Sequence, residues 1–274
     1  MVGNKHLSEI KKIKKIVATS ILTLLVCLAS RLFICFPETK GLLNMGEPIF
    51  LFAALLMGPS IGAFVGGAGF ALAYLILGYP YYIVSALTIK SIAGFVIGNL
   101  NKRRIPMKKN FSLTLGLLLT LVLGLMGGTI YSGVAYLGYV KTLYLGERVL
   151  EQGGLITCSI YIPSWFWIAV SLVMFFYISF LELKKKKSCA WTILSVLSAT
   201  LIMVLGYWIY EMTILHDLFD IKVDAVANIG TNAGQTLVSA NMSLLFIKIG
   251  HFGRLIVAKS KGKKLTLPSF SVKT

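Results

Sequence analysis

The stretch that decides the fold is residues 46–99, GEPIFLFAALLMGPSIGAFVGGAGFALAYLILGYPYYIVSALTIKSIAGFVIGN. It predicts three apolar helices, at about 47–57, 60–78 and 83–100, separated by a Gly-Pro step and an aromatic turn. The third helix carries a lysine, Lys90, near its middle. Closely spaced apolar helices that contain a charged side chain indicate a membrane bundle with a polar pocket.

Composition supports a membrane protein. The chain is 57% hydrophobic and only 14% charged, whereas soluble domains are about half apolar and about a quarter charged. Several apolar runs are long enough to cross a hydrocarbon core of roughly 30 Å. The net charge of +17 comes from basic clusters between those runs. This pattern is typical of cytoplasmic loops rather than of nucleic-acid binding.

The apolar runs predict about eight membrane segments in an all-α helical bundle that forms a single domain over residues 1–274. They are approximately 14–36, 47–57, 60–78, 83–100, 112–140, 155–181, 190–214 and 223–250. The lysine and arginine clusters lie at 11–15, 102–109, 184–187 and 259–264. By the positive-inside rule both termini are expected in the cytoplasm, with the protein in the cell membrane. The outward loops are then 37–46, 79–82, 141–154 and 215–222.

Segment 47–57 is too short to span alone, because eleven helical residues rise only about 16 Å. Pro48 suits a first helical turn, so the sequence predicts a helix whose N-terminus is recessed in the membrane. A tilted helix that begins near Leu42 is the alternative.

Polar side chains inside the apolar runs are the candidate functional residues. A lysine in the middle of a membrane helix costs about 3 kcal/mol, so Lys90 is expected to have a partner, either Glu47 or Glu211. This pairing could line a substrate pocket or could be a structural ion pair. Nucleotide-binding, zinc-protease and serine-hydrolase motifs do not occur in the sequence. The sequence therefore predicts neither an enzyme nor a bound metal or cofactor.

The last apolar segment carries a polar stripe. Its members are Asp224, Asn228, Asn232, Gln235 and Ser239, spaced so that they share one helical face. Amide groups offer donors and acceptors to the edge of a small heterocycle. Hydrogen bonds between neighbouring helices are the alternative role.

Aromatic residues accompany these polar groups. Tyr207 lies four residues before Glu211 on the same helical face, whereas Trp208 is displaced from it. These residues and Tyr82 in the turn could form walls around a planar ligand or an interfacial aromatic belt.

The spacing of Gly62 and Gly66 is a small-x-x-x-small motif that lets another helix backbone approach closely. That helix could belong to the same chain or to another subunit.

Four phrases together resemble the substrate-binding S component of energy-coupling factor (ECF) vitamin transporters. They are MGEPIFLFAALLMGPSIGAFVGGAGFALAYLILGY, LTIKSIAGFVIGNL, VLGYWIYE and GTNAGQ. The resemblance covers about 14–100 and 190–250 and is nearest to the branch for hydroxymethylpyrimidine and related vitamin precursors. It implies a six-helix core, with 101–189 as an inserted two-helix hairpin and 259–274 as a cytoplasmic tail.

The resemblance also implies a function: high-affinity binding of a small vitamin or precursor, a pyrimidine or thiamine-related compound or another planar heterocycle. The expected partners are membrane lipid, a transmembrane coupling subunit and two ATPase subunits. The residues expected to bind the substrate are Glu47, Tyr82, Lys90, Tyr207, Trp208, Glu211, Asn228, Asn232 and Gln235. The residues expected at the docking face are Ala18, Thr19, Thr23, Gly62 and Gly66.

Two other functions are compatible with the same residues. One is a proton-coupled secondary transporter or a membrane-embedded enzyme, in which Lys90, Glu47 and Glu211 would relay protons. The other is a structural membrane protein that recruits partners through its hairpin.

Overall fold

The computed structural model describes residues 2–103, 105, 107–139, 155–184, 190–221 and 223–260. Eight helices occupy most of these residues. They are α1 (Val2–Ala29), α2 (Gly46–Met57), α3 (Pro59–Leu77), α4 (Pro80–Asn101), α5 (Lys109–Ile130), α6 (Ser164–Lys184), α7 (Ala190–Phe219) and α8 (Ala225–Ser260). The predicted outward loop at 141–154 and most of the predicted tail lie outside the described residues.

A four-stranded antiparallel sheet is the feature that the sequence analysis did not predict. Its strands are β1 (Leu32–Phe36), β2 (Gly41–Asn44), β3 (Gly133–Tyr139) and β4 (Leu155–Ile162), in the order β2-β1-β3-β4. Three apolar runs that were predicted as single membrane segments, 14–36, 112–140 and 155–181, each combine a helix with one of these strands. The described residues are therefore mostly, but not entirely, helical. We call the end of the bundle that carries the strands the sheet end.

Five of the helices in the described part of the chain are long and apolar enough to cross a membrane. They are α3, α4, α5, α7 and the Ser164–Leu183 part of α6. Helix α2 is apolar but only 12 residues long, about 18 Å at 1.5 Å per residue. The eight crossings of the sequence analysis thus remain a prediction beyond these five.

Glycine residues bring α2, α3 and α4 into close contact. A Cβ atom added at Gly62 would lie 2.7 Å from the Ala54 Cβ and 2.8 Å from the Gly94 carbonyl oxygen. One added at Gly66 would collide with the Phe50 ring and lie 2.9 Å from the Lys90 carbonyl oxygen. Both glycines are buried, so their missing side chains serve packing within this chain. A role of either glycine at a subunit-docking face stays a prediction.

The residues of the predicted hairpin pack against the rest of the bundle. Gly133, at φ +103°, is the first residue of β3 and comes three positions after the end of α5. Tyr131, just before it, is fully buried and donates a hydrogen bond of 2.8 Å to the Thr231 carbonyl oxygen on α8. The Trp167 indole donates to the Tyr131 carbonyl oxygen at 2.6 Å. The α5–α6 segment is therefore fastened to the last helix at the sheet end.

Candidate functional site

Two irregular helical turns carry two of the buried ionisable side chains of the bundle, Lys90 and Glu211. In α4, residues Ala86–Lys90 form a π-helical turn that ends at Lys90. In α7, residues Glu211–Leu215 form a second one that begins at Glu211. A π-helical turn inserts one extra residue into an α-helix and is frequent at functional sites. Each turn here sets the direction of an ionisable side chain that is at least 95% buried.

Lys90 pairs with Glu47, one of the two partners that the sequence analysis considered. Its Nζ atom lies 2.6 Å and 2.8 Å from the two carboxylate oxygens of Glu47. Glu47 has no exposed surface and lies in the first turn of α2, where the helix dipole favours negative charge. The Asn44 side chain accepts a hydrogen bond of 2.8 Å from the Gly46 amide and so holds the start of that helix.

Aromatic rings and a thioether close around the same ammonium group. The Lys90 Nζ atom lies 4.5 Å from the Phe70 ring centroid, 5.4 Å from that of Tyr207 and 5.9 Å from that of Phe50. It is 3.4 Å from the Met203 sulfur. Cation–π contacts of this kind stabilise a desolvated cation. The positive charge of Lys90 is thus balanced entirely by groups of its own chain.

Glu211 lies in a different environment. The Tyr82 hydroxyl donates to one of its oxygens at 3.1 Å, and the Asn228 amide donates to the other at 3.1 Å. Glu211 is only 5% exposed. Within the described residues, no lysine or arginine nitrogen forms an ion pair with it. Its carboxylate is therefore held by two neutral donors, one from α4 and one from α8.

Tyrosine side chains connect the two charged groups. The Tyr82 ring lies 5.5 Å from Tyr74, 6.4 Å from Tyr207 and 6.0 Å from Tyr210 by centroid distance. The hydroxyls of Tyr74 and Tyr207 are 3.5 Å apart. Because Tyr207 also covers Lys90, an aromatic path runs from the inner ion pair to Glu211. We call Glu211 and the rings of Tyr74, Tyr82, Tyr207 and Tyr210 the tyrosine cluster.

Three of the predicted substrate-binding residues lie apart from these contacts. Asn232 and Gln235 are half-buried, and in the described part of the chain no hydrogen bond joins their side chains to Lys90 or Glu211. Trp208 is half-buried, and its indole nitrogen finds no acceptor among the described residues. The structure brings together the other six, in two neighbouring groups.

Several members of these groups were not singled out from the sequence. They are Phe50, Phe70, Tyr74, Met203 and Tyr210. Helical spacing from the predicted residues would have found three of them. Met203 lies four residues before Tyr207, Tyr210 lies three after it, and Phe50 lies three after Glu47. Phe70 and Tyr74 lie on α3, which carries no predicted substrate-binding residue, so only tertiary packing brings them here.

The predicted docking residues of α1 differ in exposure. Ala18 and Thr19 are half-buried, whereas Thr23 is 6% exposed and donates to the Thr19 carbonyl oxygen at 2.8 Å. The side of α1 that faces away from the bundle is apolar. Its exposed residues include Ile16, Val17, Ile21, Leu24, Leu25 and Leu28.

Comparison with known proteins assigns the chain to a protein family. The family described as ECF-type riboflavin transporter, S component, matches residues 10–159, more than half of the chain. The matched range includes Glu47, Tyr82 and Lys90 and ends before α7. It extends past residue 101, where the predicted hairpin begins, and the inserted hairpin stays a prediction.

One curated relative is a Pyrococcus woesei protein described as "Uncharacterized protein in gap 3'region". It is 33% identical over 110 residues, which are 40% of this chain and 64% of that protein. The chain thus matches less than two thirds of the relative's length. No solved structure matches the chain.

Proposed function

This chain belongs to the family of ECF-type riboflavin transporter S components, and from that premise we propose that it is the membrane subunit that binds the substrate of an energy-coupling factor importer. It is a multi-pass protein of the plasma membrane. Its substrate is a small planar vitamin or vitamin precursor, and its task is binding rather than chemical conversion. The observation that carries this proposal is the tyrosine cluster, in which a buried carboxylate accepts a hydrogen bond from one of four neighbouring tyrosines inside a membrane bundle.

The geometry of the tyrosine cluster supports a planar substrate. Rings whose centroids are 5.5–6.4 Å apart offer flat apolar surfaces, while the Glu211 carboxylate and the tyrosine hydroxyls fix the orientation of a polar edge. The family description names riboflavin, and the resemblance of the sequence favours a pyrimidine or thiamine-related compound. Both are planar heterocycles, and this class is the one we propose.

The orientation that we propose places the sheet end outside the cell. Lys102 supports it, because its side chain lies against Gly58 at the end opposite the strands, and this end carries the basic residues predicted to stay in the cytoplasm. Substrate would enter between the segments 37–46, 79–82 and 215–222 at the sheet end. Both termini would then be cytoplasmic.

The proposed partners are a transmembrane coupling subunit and two ATPases. We place the docking face on the exposed apolar side of α1, next to Ala18 and Thr19, because Gly62 and Gly66 are occupied by internal packing. The coupling subunit would move this bundle and so release the substrate inside.

The test is purification in mild detergent followed by mass spectrometry of any bound metabolite. Thermal midpoints are then measured with riboflavin, thiamine and hydroxymethylpyrimidine. A bound heterocycle, or a rise in midpoint of several degrees with one of these compounds, is expected, because a ligand that binds only the folded state stabilises it. The Tyr82→Ala variant should lose this shift, whereas Tyr161→Ala, in the exposed strand β4, should keep it.

Ligand-free protein without any thermal shift would count against the proposal. Uptake into liposomes that is driven by a proton gradient, without any ATPase, would support a secondary transporter instead.

A further inference from the structure

We propose that Glu211 is a specificity-determining residue that selects ligands with an N–H-rich or cationic edge and rejects their anionic forms. This inference rests on the proposed function and states which chemical class the tyrosine cluster accepts. A vitamin would bind in its free form, and its phosphate ester would be excluded. The argument uses the charge balance of the site, the free acceptor capacity of Glu211 and the polarity of the surrounding rings.

The buried ionisable groups of the site do not balance one another completely. Glu47 and Lys90 neutralise each other at 2.6 Å and 2.8 Å, so this pair contributes no net charge. Glu211 adds one negative charge, which only neutral donors contact. With Glu211 ionised, the described residues of the site therefore sum to one negative charge, in a region where Glu47, Lys90 and Glu211 are each at most 5% exposed. Two like charges at close range in such a place repel by several kcal/mol.

Glu211 can accept more hydrogen bonds than its two donors supply. A carboxylate offers about four lone-pair positions, and the two hydrogen bonds from Tyr82 and Asn228 use about half of them. Those donors lie on α4 and α8 and fix the carboxylate from two sides. The remaining positions can accept N–H groups from a ligand, whereas a phosphate or carboxylate group of a ligand has only acceptors to present.

The tyrosine rings also disfavour anionic ligands. The faces of aromatic rings carry negative partial charge, which attracts cations and electron-poor heterocycles. Tyr82 contacts Glu211 directly through its hydroxyl, and the rings of Tyr74, Tyr207 and Tyr210 lie within 6.4 Å of the Tyr82 ring by centroid distance. Since both the carboxylate and the ring faces are electronegative, an anionic group gains no favourable partner there.

The position of the tyrosine cluster makes this selection possible before transport. The Tyr81 ring packs against Tyr82 at 5.4 Å and against Phe219 at 6.2 Å, and Phe219 is 47% exposed. Glu211 is thus separated from the surface by two rings at the sheet end.

The experiment compares free vitamins with their phosphate esters on the full chain in detergent. Riboflavin is paired with riboflavin 5'-phosphate, and thiamine with thiamine monophosphate, by isothermal titration calorimetry. We expect the wild type to bind the free form of one pair at least about tenfold more tightly, since like-charge contacts cost several kcal/mol. Glu211→Gln removes the charge and should reduce this ratio to about threefold or less. Glu9→Gln removes the same charge from an exposed position near the start of α1, outside the proposed entry segments, and should leave the ratio unchanged.

A second variant protects the test against misfolding of Glu211→Gln. Asn228→Lys brings a cation to the same carboxylate without altering it and should also lower the ratio. Equal wild-type affinity for free vitamin and ester overturns the inference but leaves the proposed function intact. A ratio that persists in Glu211→Gln or Asn228→Lys also overturns it. If neither member of either pair binds the wild type, the proposed function fails and the inference fails with it.

Discussion

Two buried carboxylates of the bundle, Glu47 and Glu211, differ in the groups that hold them. Glu47 is balanced by the ammonium group of Lys90, and rings and a thioether complete that ammonium's surroundings. Glu211 is held by one hydroxyl and one amide, both neutral. The first arrangement is complete within the chain, so it fixes the packing of α2 on α4. The second leaves charge and acceptor capacity for a ligand. We therefore propose that the Glu47–Lys90 pair stabilises the fold and that Glu211 recognises the ligand.

Removing the ammonium group of Lys90 should cause the largest loss of stability. The Lys90→Met variant leaves the Glu47 carboxylate buried without a partner, which costs about 3–5 kcal/mol in comparable cases. We expect a sharp fall in the thermal midpoint and in the yield of monodisperse protein, measured by size-exclusion chromatography and differential scanning fluorimetry.

The double variant Glu47→Gln/Lys90→Met separates loss of the pair from exposure of an uncompensated charge. It should recover a large part of the lost stability, because an amide and a thioether can occupy this space without a net charge. If the double variant is as unstable as Lys90→Met alone, the ion pair does not have the structural role given to it here.

The second-largest loss of stability is expected at Gly66, which packs closely against the Lys90 backbone. Gly66→Ala places a methyl group against the Phe50 ring and the Lys90 carbonyl oxygen, and such overpacking costs about 1–3 kcal/mol. Since alanine favours a helix by about 1 kcal/mol over glycine, the net loss should lie in the lower part of that range. Gly128→Ala is the control, because its nearest atom outside the helix is 3.8 Å away, and it should be neutral or stabilising. Equal midpoints for the two variants would contradict this packing.

Glu211 is held by hydrogen bonds from neutral donors, and the contribution of one buried neutral hydrogen bond to stability can be measured at Tyr131. Tyr131→Phe deletes the buried bond to the Thr231 carbonyl oxygen, and one such bond contributes about 1 kcal/mol. We expect a modest drop in midpoint. Tyr161→Phe removes a hydroxyl from a residue that is 70% exposed and should change nothing measurable. A loss of more than about 3 kcal/mol in Tyr131→Phe would mean that the hairpin contact does far more than one hydrogen bond.

The sequence was sufficient to predict the inner part of the site. The cost of a lone lysine in an apolar helix pointed to a carboxylate partner, and Glu47 was one of two considered. The short α2 helix also followed from its length and from Pro48, while the recessed position of its start in the membrane stays a prediction. These are local or energetic arguments, so they do not require knowledge of how the helices pack.

The sheet and the two π-helical turns could not be predicted in this way. An apolar run gives the same periodicity signal for a buried strand as for a continuing helix, so β1, β3 and β4 were assigned to membrane segments. A π-helical turn shifts the helical register by one residue, and neither ALTIK nor EMTIL carries a sequence signal for this shift. Contacts between separate helices, such as Tyr74 beside Tyr82, likewise appear only in three dimensions.

The smallest effect on folding is expected at the group with the largest proposed role in recognition. Glu211→Gln keeps the shape of the side chain. Its oxygen can still accept from Tyr82, and the Asn228 amide can turn to present its own oxygen to the new NH₂ group. Because a buried charge without a cation is replaced by an amide, the free energy of unfolding should stay within about 1 kcal/mol of the wild type. Glu38→Gln serves as the control of equal chemistry, and chemical denaturation followed by tryptophan fluorescence measures both. A loss comparable to that of Lys90→Met would place Glu211 in the same structural class as Glu47, and the difference between the two carboxylates would then no longer separate packing from recognition.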